Sequence, residues 1–230
     1  MINIFSTLNE TISPNYCFGC KRVMVVSETG LCSNCLIDLN RSFNCFDQNN
    51  DLSNKVSIYF PVKNAVSFLN YKKQSLESKL IHRFKYENDI IIGQTLTKIM
   101  CKEIEKVDWI RDIDLIIPLP LHWLRELNRG FNQANVIAVE IGKYFDIEVN
   151  RKLVKRVRYN KSQTKKTKEQ RWKNVENIFR LKDKKQLENK HILIVDDIAT
   201  TGASLNSCIR EICKTNNIKI SVIVLGTTDI

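Results

Sequence analysis

The stretch from His191 to Lys214 constrains the fold more than any other part of this 230-residue chain. Four consecutive apolar residues, Ile192-Leu-Ile-Val195, run into two adjacent carboxylates, Asp196 and Asp197, then into Ala199-Thr-Thr-Gly-Ala-Ser204 and a helical pattern as far as Lys214. An apolar run bounded by a turn and a helix reads as a strand buried on both faces, and a second such run, Ile218 to Leu225, follows the helix. Strand, helix and strand of this kind imply an α/β fold, a parallel sheet flanked by helices. The N–H groups of Ala199 to Ser204 and the positive end of the following helix suit a phosphate monoester. Thr200, Thr201 and Ser204 add hydroxyl donors, and Gly202 permits close approach of the backbone. Asp196 and Asp197 fall at the crevice where open α/β sheets bind ligands, placed to accept hydrogen bonds from a ribose diol.

Upstream, Val56 to Tyr71 is rich in β-formers with an interruption at Pro61-Val-Lys-Asn64, which predicts two strands joined by a turn. Ser75 to Lys85 and Ile90 to Val107 carry apolar residues at helical spacing. Ile113 to Ile117 is a short apolar run stopped by Pro118-Leu-Pro120, and Asn132 to Tyr144 reads as a helix.

Cys17-x2-Cys20 is followed after eleven residues by Cys32-x2-Cys35. Two such knuckles can present four thiolates to one tetrahedral zinc at about 2.3 Å, with Gly19 and Gly30 at the turns. Four protein ligands leave no open position, so the zinc is expected to be structural. The polar stretch Asp47 to Asn54 reads as a linker, which divides the chain into a zinc-ribbon module over 1–50 and an α/β domain over 51–230. Cys45 is then a spare, and Cys101, Cys208 and Cys213 fall on helical patterns as small core residues. The three histidines, His82, His122 and His191, are scattered, and none stands out as a base.

The formal net charge of +11 is concentrated in one place. Residues 151–190 hold 16 Lys+Arg against 4 Asp+Glu, a net of +12, which leaves −1 for the remainder. A block of this kind suits an anionic partner, either substrate phosphates or a nucleic-acid backbone, although it also fits a solvated loop without one. Tyr159 and Trp172 beside it could stack on bases; Trp172 also fits a hinge anchor, and fits a core residue better still. The knuckle loop at 21–31 offers only Lys21 and Arg22 as cations, which argues against zinc as a direct reader of DNA. No run reaches the roughly 20 apolar residues of a transmembrane segment, and the first ten residues lack the pattern of a secretory signal. A cytoplasmic place is expected, compatible with a peripheral position at the inner membrane, and there eight cysteines are thiols or metal ligands rather than disulfides.

The run Ile192 to Ser204 resembles the phosphoribosyl-diphosphate (PRPP) motif of the type I phosphoribosyltransferases. Ile117-Pro-Leu-Pro-Leu-His122, Asn128-Arg-Gly-Phe-Asn-Gln133, Arg156-Val-Arg158, Gln163-Thr164, Gln170-Arg171, Asn174 and Phe179, with the cysteines in front, extend the likeness to the ComF family over nearly the whole chain. That resemblance implies that Asp196 and Asp197 bind the ribose 2′ and 3′ hydroxyls, and that Ala199, Thr200, Thr201, Gly202, Ala203 and Ser204 hold the 5′-phosphate. Pro118 and Leu119 would lie on the pyrophosphate side with Arg125 and Arg129 as the nearest cations, and magnesium would accompany PRPP.

In the same family setting, Lys155 to Lys173 becomes a mobile lid with Arg156, Arg158 and Arg171 as its candidate cations, and Arg156, Arg158, Lys165, Lys166, Lys168 and Arg171 become a nucleic-acid contact. The function implied is that of a competence protein of natural transformation that handles incoming single-stranded DNA, with DNA-uptake or recombination proteins as partners. The alternative is an active phosphoribosyltransferase that passes ribose 5-phosphate from PRPP to a nitrogen acceptor. No residue can be singled out to activate such an acceptor.

Overall fold

A computed structural model of the chain describes residues 15–42, 47, 49–158 and 178–228. After the cysteine loops come helices α1 (Ser33–Ile37) and α2 (Asp51–Val56), strand β1 (Ala65–Tyr71), helices α3 (Leu76–Tyr86) and α4 (Ile90–Ile104), and strand β2 (Leu115–Pro118). Helices α5 (Trp123–Arg129) and α6 (Gln133–Phe145) follow, then strands β3 (Val154–Arg156), β4 (Phe179–Leu181) and β5 (His191–Ala199), helix α7 (Ala203–Ile212) and strand β6 (Lys219–Thr228). The main sheet has the order β1-β6-β5-β2 with every pair parallel, as the apolar runs predict. β3 and β4 form a separate antiparallel pair.

Alternation along the strands divides the core between the two faces of the sheet. Leu193, Val195, Ile223 and Leu225 pack with α3, α4 and α6, whereas Ile192, Ile194, Val222 and Val224 pack with α7 and the β3–β4 pair. The helices begin where side chains can cap them. Asn50, Ser75 and Asn132 accept hydrogen bonds from Ser53, Ser78 and Ala134 N–H groups at the starts of α2, α3 and α6.

Three expectations need correction. Residues 56–60 do not form a strand, because Val56 ends α2. Asn50 caps that helix inside the stretch that reads as a linker, and Leu52 and Val56 bury one side of it, so helical spacing wins over β propensity. Helix α5 was not predicted: none of its residues is buried, so it has no apolar periodicity to betray it. Strand β5 runs on to Ala199, which puts Asp196 and Asp197 inside its paired end rather than after it.

The cysteine loops share the core of the α/β body. Cys17, Leu31, Cys32, Cys35 and Leu39 pack in one apolar cluster with residues of β1, α3 and α4. Arg83 Nη1 donates to Phe18 O at 2.7 Å. Past α1 the chain lays itself against the edge of β1, where Ser42 N donates to Phe68 O at 2.9 Å and Asn70 N to Asn40 O at 2.8 Å. This bridge, antiparallel at Arg41 and Leu69, covers hydrogen-bonding groups that an open sheet edge would expose.

Candidate functional site

The ends of β2 and β5, the start of α7 and the last turn of α3 meet at the carboxyl end of the sheet. Adjacent strand residues project to opposite faces, and the two acids have different neighbours. Asp197 lies on the α3 side, with an Oδ2 to Lys85 Nζ distance of 3.1 Å, and its Oδ1 accepts the Ile198 N–H at 2.6 Å. Asp196 is half-buried and accepts the Asp197 N–H at 2.8 Å. Burial and the neighbouring Asp197 carboxylate push its pKa up to about 8, against the opposing pull of the Asp197 N–H, Lys85 and Arg156. Such a carboxyl holds its proton near neutrality until a cation or a hydrogen-bond donor arrives to favour the charge.

Across from Asp196 stands a cationic group that the sequence distributed over two segments. Arg156, at the end of β3, is half-buried with its guanidinium 5.6 Å from the Phe179 ring centroid, and its Nε is enclosed without a hydrogen-bond partner. Burial, then Arg125, lower its pKa, and the charge of Asp196 opposes that shift. His122 is buried at the start of α5. Its Nδ1 accepts from Leu124 N at 3.3 Å, and burial, Arg156 and Arg125 hold its pKa below the ordinary imidazole value. A neutral imidazole with Nδ1 as acceptor carries its proton on Nε2.

Helix α7 starts without a side-chain cap, so its first N–H groups stay available as Thr200 and Thr201 lead exposed into it. Gly202 adopts φ +70°, and a Cβ there would stand 2.7 Å from Lys55 O. The glycine therefore serves the packing of α2 against the loop. Asn206 Nδ2 braces the same place, donating to Lys55 O at 2.6 Å and Gly202 O at 3.1 Å. Ala203 and Ser204 are half-buried in the first turn.

The remaining expected residues divide. Pro118 closes β2. Leu119 continues its ladder, donating to Val195 O at 2.8 Å and accepting from Asn132 Nδ2 at 3.1 Å, so its backbone polar groups serve the fold. Arg125 faces Arg156 and His122. Arg129 is engaged elsewhere, with Gln133 Oε1 at 3.2 Å and the Tyr86 ring centroid at 5.2 Å. Arg158 is exposed. Lys165, Lys166, Lys168, Arg171, Tyr159, Trp172 and Cys45 lie outside the described residues.

Lys85 and His122 were missed in the sequence as members of this site. No local pattern marks Lys85, and His122, at the end of the turn Pro118 to His122 that the resemblance puts at the pyrophosphate loop, carries no local feature that sets it apart from the other two histidines. Arg156, assigned to the lid, stands with the strand-end acids. His191 opens β5 as a structural residue, its Nε2 2.9 Å from Ser221 Oγ.

The sulfur atoms of Cys17, Cys20, Cys32 and Cys35 lie within 4.8 Å of one another and could hold a metal ion. Cys32 Sγ accepts the Cys35 N–H at 3.5 Å and Cys17 Sγ accepts the Cys32 N–H at 3.2 Å. The Cys35 N–H and the Arg22 guanidinium draw the Cys32 thiol down to about 6, while burial pushes Cys35 up. Glu28 ties the loop together by accepting from Ser33 N at 2.7 Å and pairing with Arg22 at 2.5 Å. Cys101 and Cys208 are core residues, and Cys213 is partly buried.

A family model described as phosphoribosyl transferase domain matches residues 127–227. Competence protein F of Haemophilus influenzae is 26% identical over 204 residues, covering 83% of this chain and 87% of that protein. DNA utilization protein YhgH of Escherichia coli K12 is 28% identical over 56% of this chain and 57% of its own length. Competence protein ComFC of Bacillus subtilis is 30% identical over 61% of this chain and 55% of its own. Among the described residues no helix is long and apolar enough to cross a membrane.

Proposed function

Because the chain belongs to the ComF family, with a phosphoribosyl transferase domain over residues 127–227 and similarity to competence and DNA utilization proteins, we propose that it serves natural transformation by handling incoming single-stranded DNA in the cytoplasm. The same reading gives it a site for PRPP with magnesium. The observation that supports the site is the meeting of Asp196 with Arg156, which in turn neighbours Arg125 and His122, beside the uncapped start of α7. PRPP joins a 5′-phosphate, a diol and a diphosphate, and each has a chemically matched neighbour here. The 5′-phosphate suits the N–H groups and hydroxyls of Thr200 to Ser204. The diol suits the carboxylates, and the diphosphate suits the arginines. Magnesium, when bound, supplies charge neutralisation on the diphosphate. The four-cysteine cluster takes zinc, whose preference for tetrahedral thiolate sets fits four convergent sulfurs.

An active phosphoribosyltransferase uses the same groups to stabilise a departing pyrophosphate. His122, held neutral beside Arg125 and Arg156, favours this second reading, because its Nε2 can donate a hydrogen bond to developing charge. Titration of single-stranded DNA at two salt concentrations, with and without magnesium-PRPP, tests the first reading. Salt-sensitive binding supports it; no binding under any condition sinks it and leaves the transferase. Alanine at Lys165, Lys166 and Lys168 is expected to lower DNA affinity and flatten the salt slope by roughly 0.7 per lost contact.

A further inference from the structure

The cysteine loops and α3 enclose a second cleft of about 500 Å3 that shares no residue with the strand-end site. Its wall combines segments far apart in the chain: Phe18 and Lys21 from the first knuckle, Tyr71 and Lys73 from the end of β1 and the turn after it, and Lys79 and His82 from α3. The ammonium groups of Lys21, Lys73 and Lys79 make no ion pair or side-chain hydrogen bond among the described residues, and all three residues are exposed. The other charges on the wall are already matched. Arg83 pairs with Asp89 at 2.6 Å, and the single lining carboxylate, Glu87, sits 3.6 Å from His82 and 3.8 Å from Arg83. Three positive charges without a partner among the described residues thus line an open cleft. Lys21 and Gln74 both hold φ +64°, a strained left-handed conformation that concentrates at binding sites.

Ammonium groups contributed by three separate segments suit a row of phosphates better than a single one, and a half-buried aromatic beside them, here Tyr71, suits a base. We infer that this cleft between the knuckle and α3 binds a single-stranded nucleic-acid strand, with Lys21, Lys73 and Lys79 on its phosphates and the Tyr71 ring against a base. The inference rests on the reading of the protein as a handler of single-stranded DNA and gives that activity a place outside the basic segment of 151–190. Lys21 and Arg22 alone make the knuckle a poor candidate in the sequence; the fold pairs Arg22 with Glu28 and adds Lys73 and Lys79 to Lys21.

Fluorescence anisotropy of a labelled oligodeoxythymidylate with the full-length, zinc-assayed protein tests this. Lys73→Ala with Lys79→Ala alters only exposed side chains, and Lys21→Ala is added as a third change. Zinc content and melting temperature are expected to stay unchanged. The slope of log affinity against log salt should fall by roughly 1.4 in the double variant and roughly 2 in the triple. Wild-type binding with unaltered slopes in the variants overturns the cleft and leaves the DNA-handling function standing. Absence of wild-type binding overturns both. Equal displacement of the oligonucleotide by inorganic phosphate at matched ionic strength makes the cleft a small-anion site and overturns the strand.

Discussion

The Lys85 ammonium lies 3.1 Å from a carboxylate oxygen of Asp197, joining the last turn of α3 to the carboxyl end of β5. Both side chains are well shielded, 17% and 12% exposed, so removing either leaves the other charge poorly solvated. Lys85→Met is expected to lower the unfolding free energy by about 1–3 kcal/mol. Asp197→Asn should cost less in that background than in the wild type. A double-mutant cycle from denaturant unfolding measures the coupling, and strictly additive losses would show that the pair contributes nothing.

Asp196 sets a pH dependence whose sign follows from its raised pKa. Between the ordinary carboxylate value and about 8, the folded chain keeps a proton that the unfolded chain has released. The stability it contributes is complete below the ordinary value and lost as pH rises through that window. Asp196→Asn should flatten this part of the stability profile. Ligand binding that selects the charged carboxylate should release a proton near neutrality, so calorimetry of magnesium-PRPP in buffers of different ionisation enthalpy should report proton release in the wild type and none in Asp196→Asn.

Gly202→Ala combines a left-handed backbone with a Cβ 2.7 Å from Lys55 O, a backbone atom that yields only if α2 moves. A loss of about 1–3 kcal/mol in stability is expected, together with weaker phosphate binding. Thr201→Ala, at an exposed position, should weaken binding alone. Equal melting temperatures for Gly202→Ala and wild type would show that the loop and α2 do not constrain each other.

Because Cys17, Cys32 and Cys35 pack in the same cluster as α3, α4 and β1, metal removal should not melt a separate module. Chelation, or Cys17→Ser, is expected to lower the temperature of one cooperative transition for the whole chain. Two resolved transitions in calorimetry, with only the first sensitive to chelator, would refute the shared core.

Alternating and continuous apolar runs made β5, β6, α3, α4 and α6 legible, because periodicity reports which side of an element is buried. The knuckle spacing and the acid pair at Asp196 and Asp197 were legible for a related reason, since these features are local in the chain. Helix α2 was misread because Val56 suits a strand until Asn50 caps the preceding turn, and α5 escaped because it buries no side chain.

What the sequence determined by itself is the α/β class, the cysteine set and the place of the acid pair and the glycine-containing turn between β5 and α7, all properties of neighbouring residues. Tertiary structure alone decided that Lys85 neutralises Asp197, that Arg156 stands between Asp196 and the pair His122 and Arg125, and that Lys73 and Lys79 join Lys21 beside the knuckle. The physical reason is that a charge acts through distance and dielectric rather than chain position. Groups tens of residues apart become partners only when packing of the sheet faces brings them together and excludes the water that would screen them.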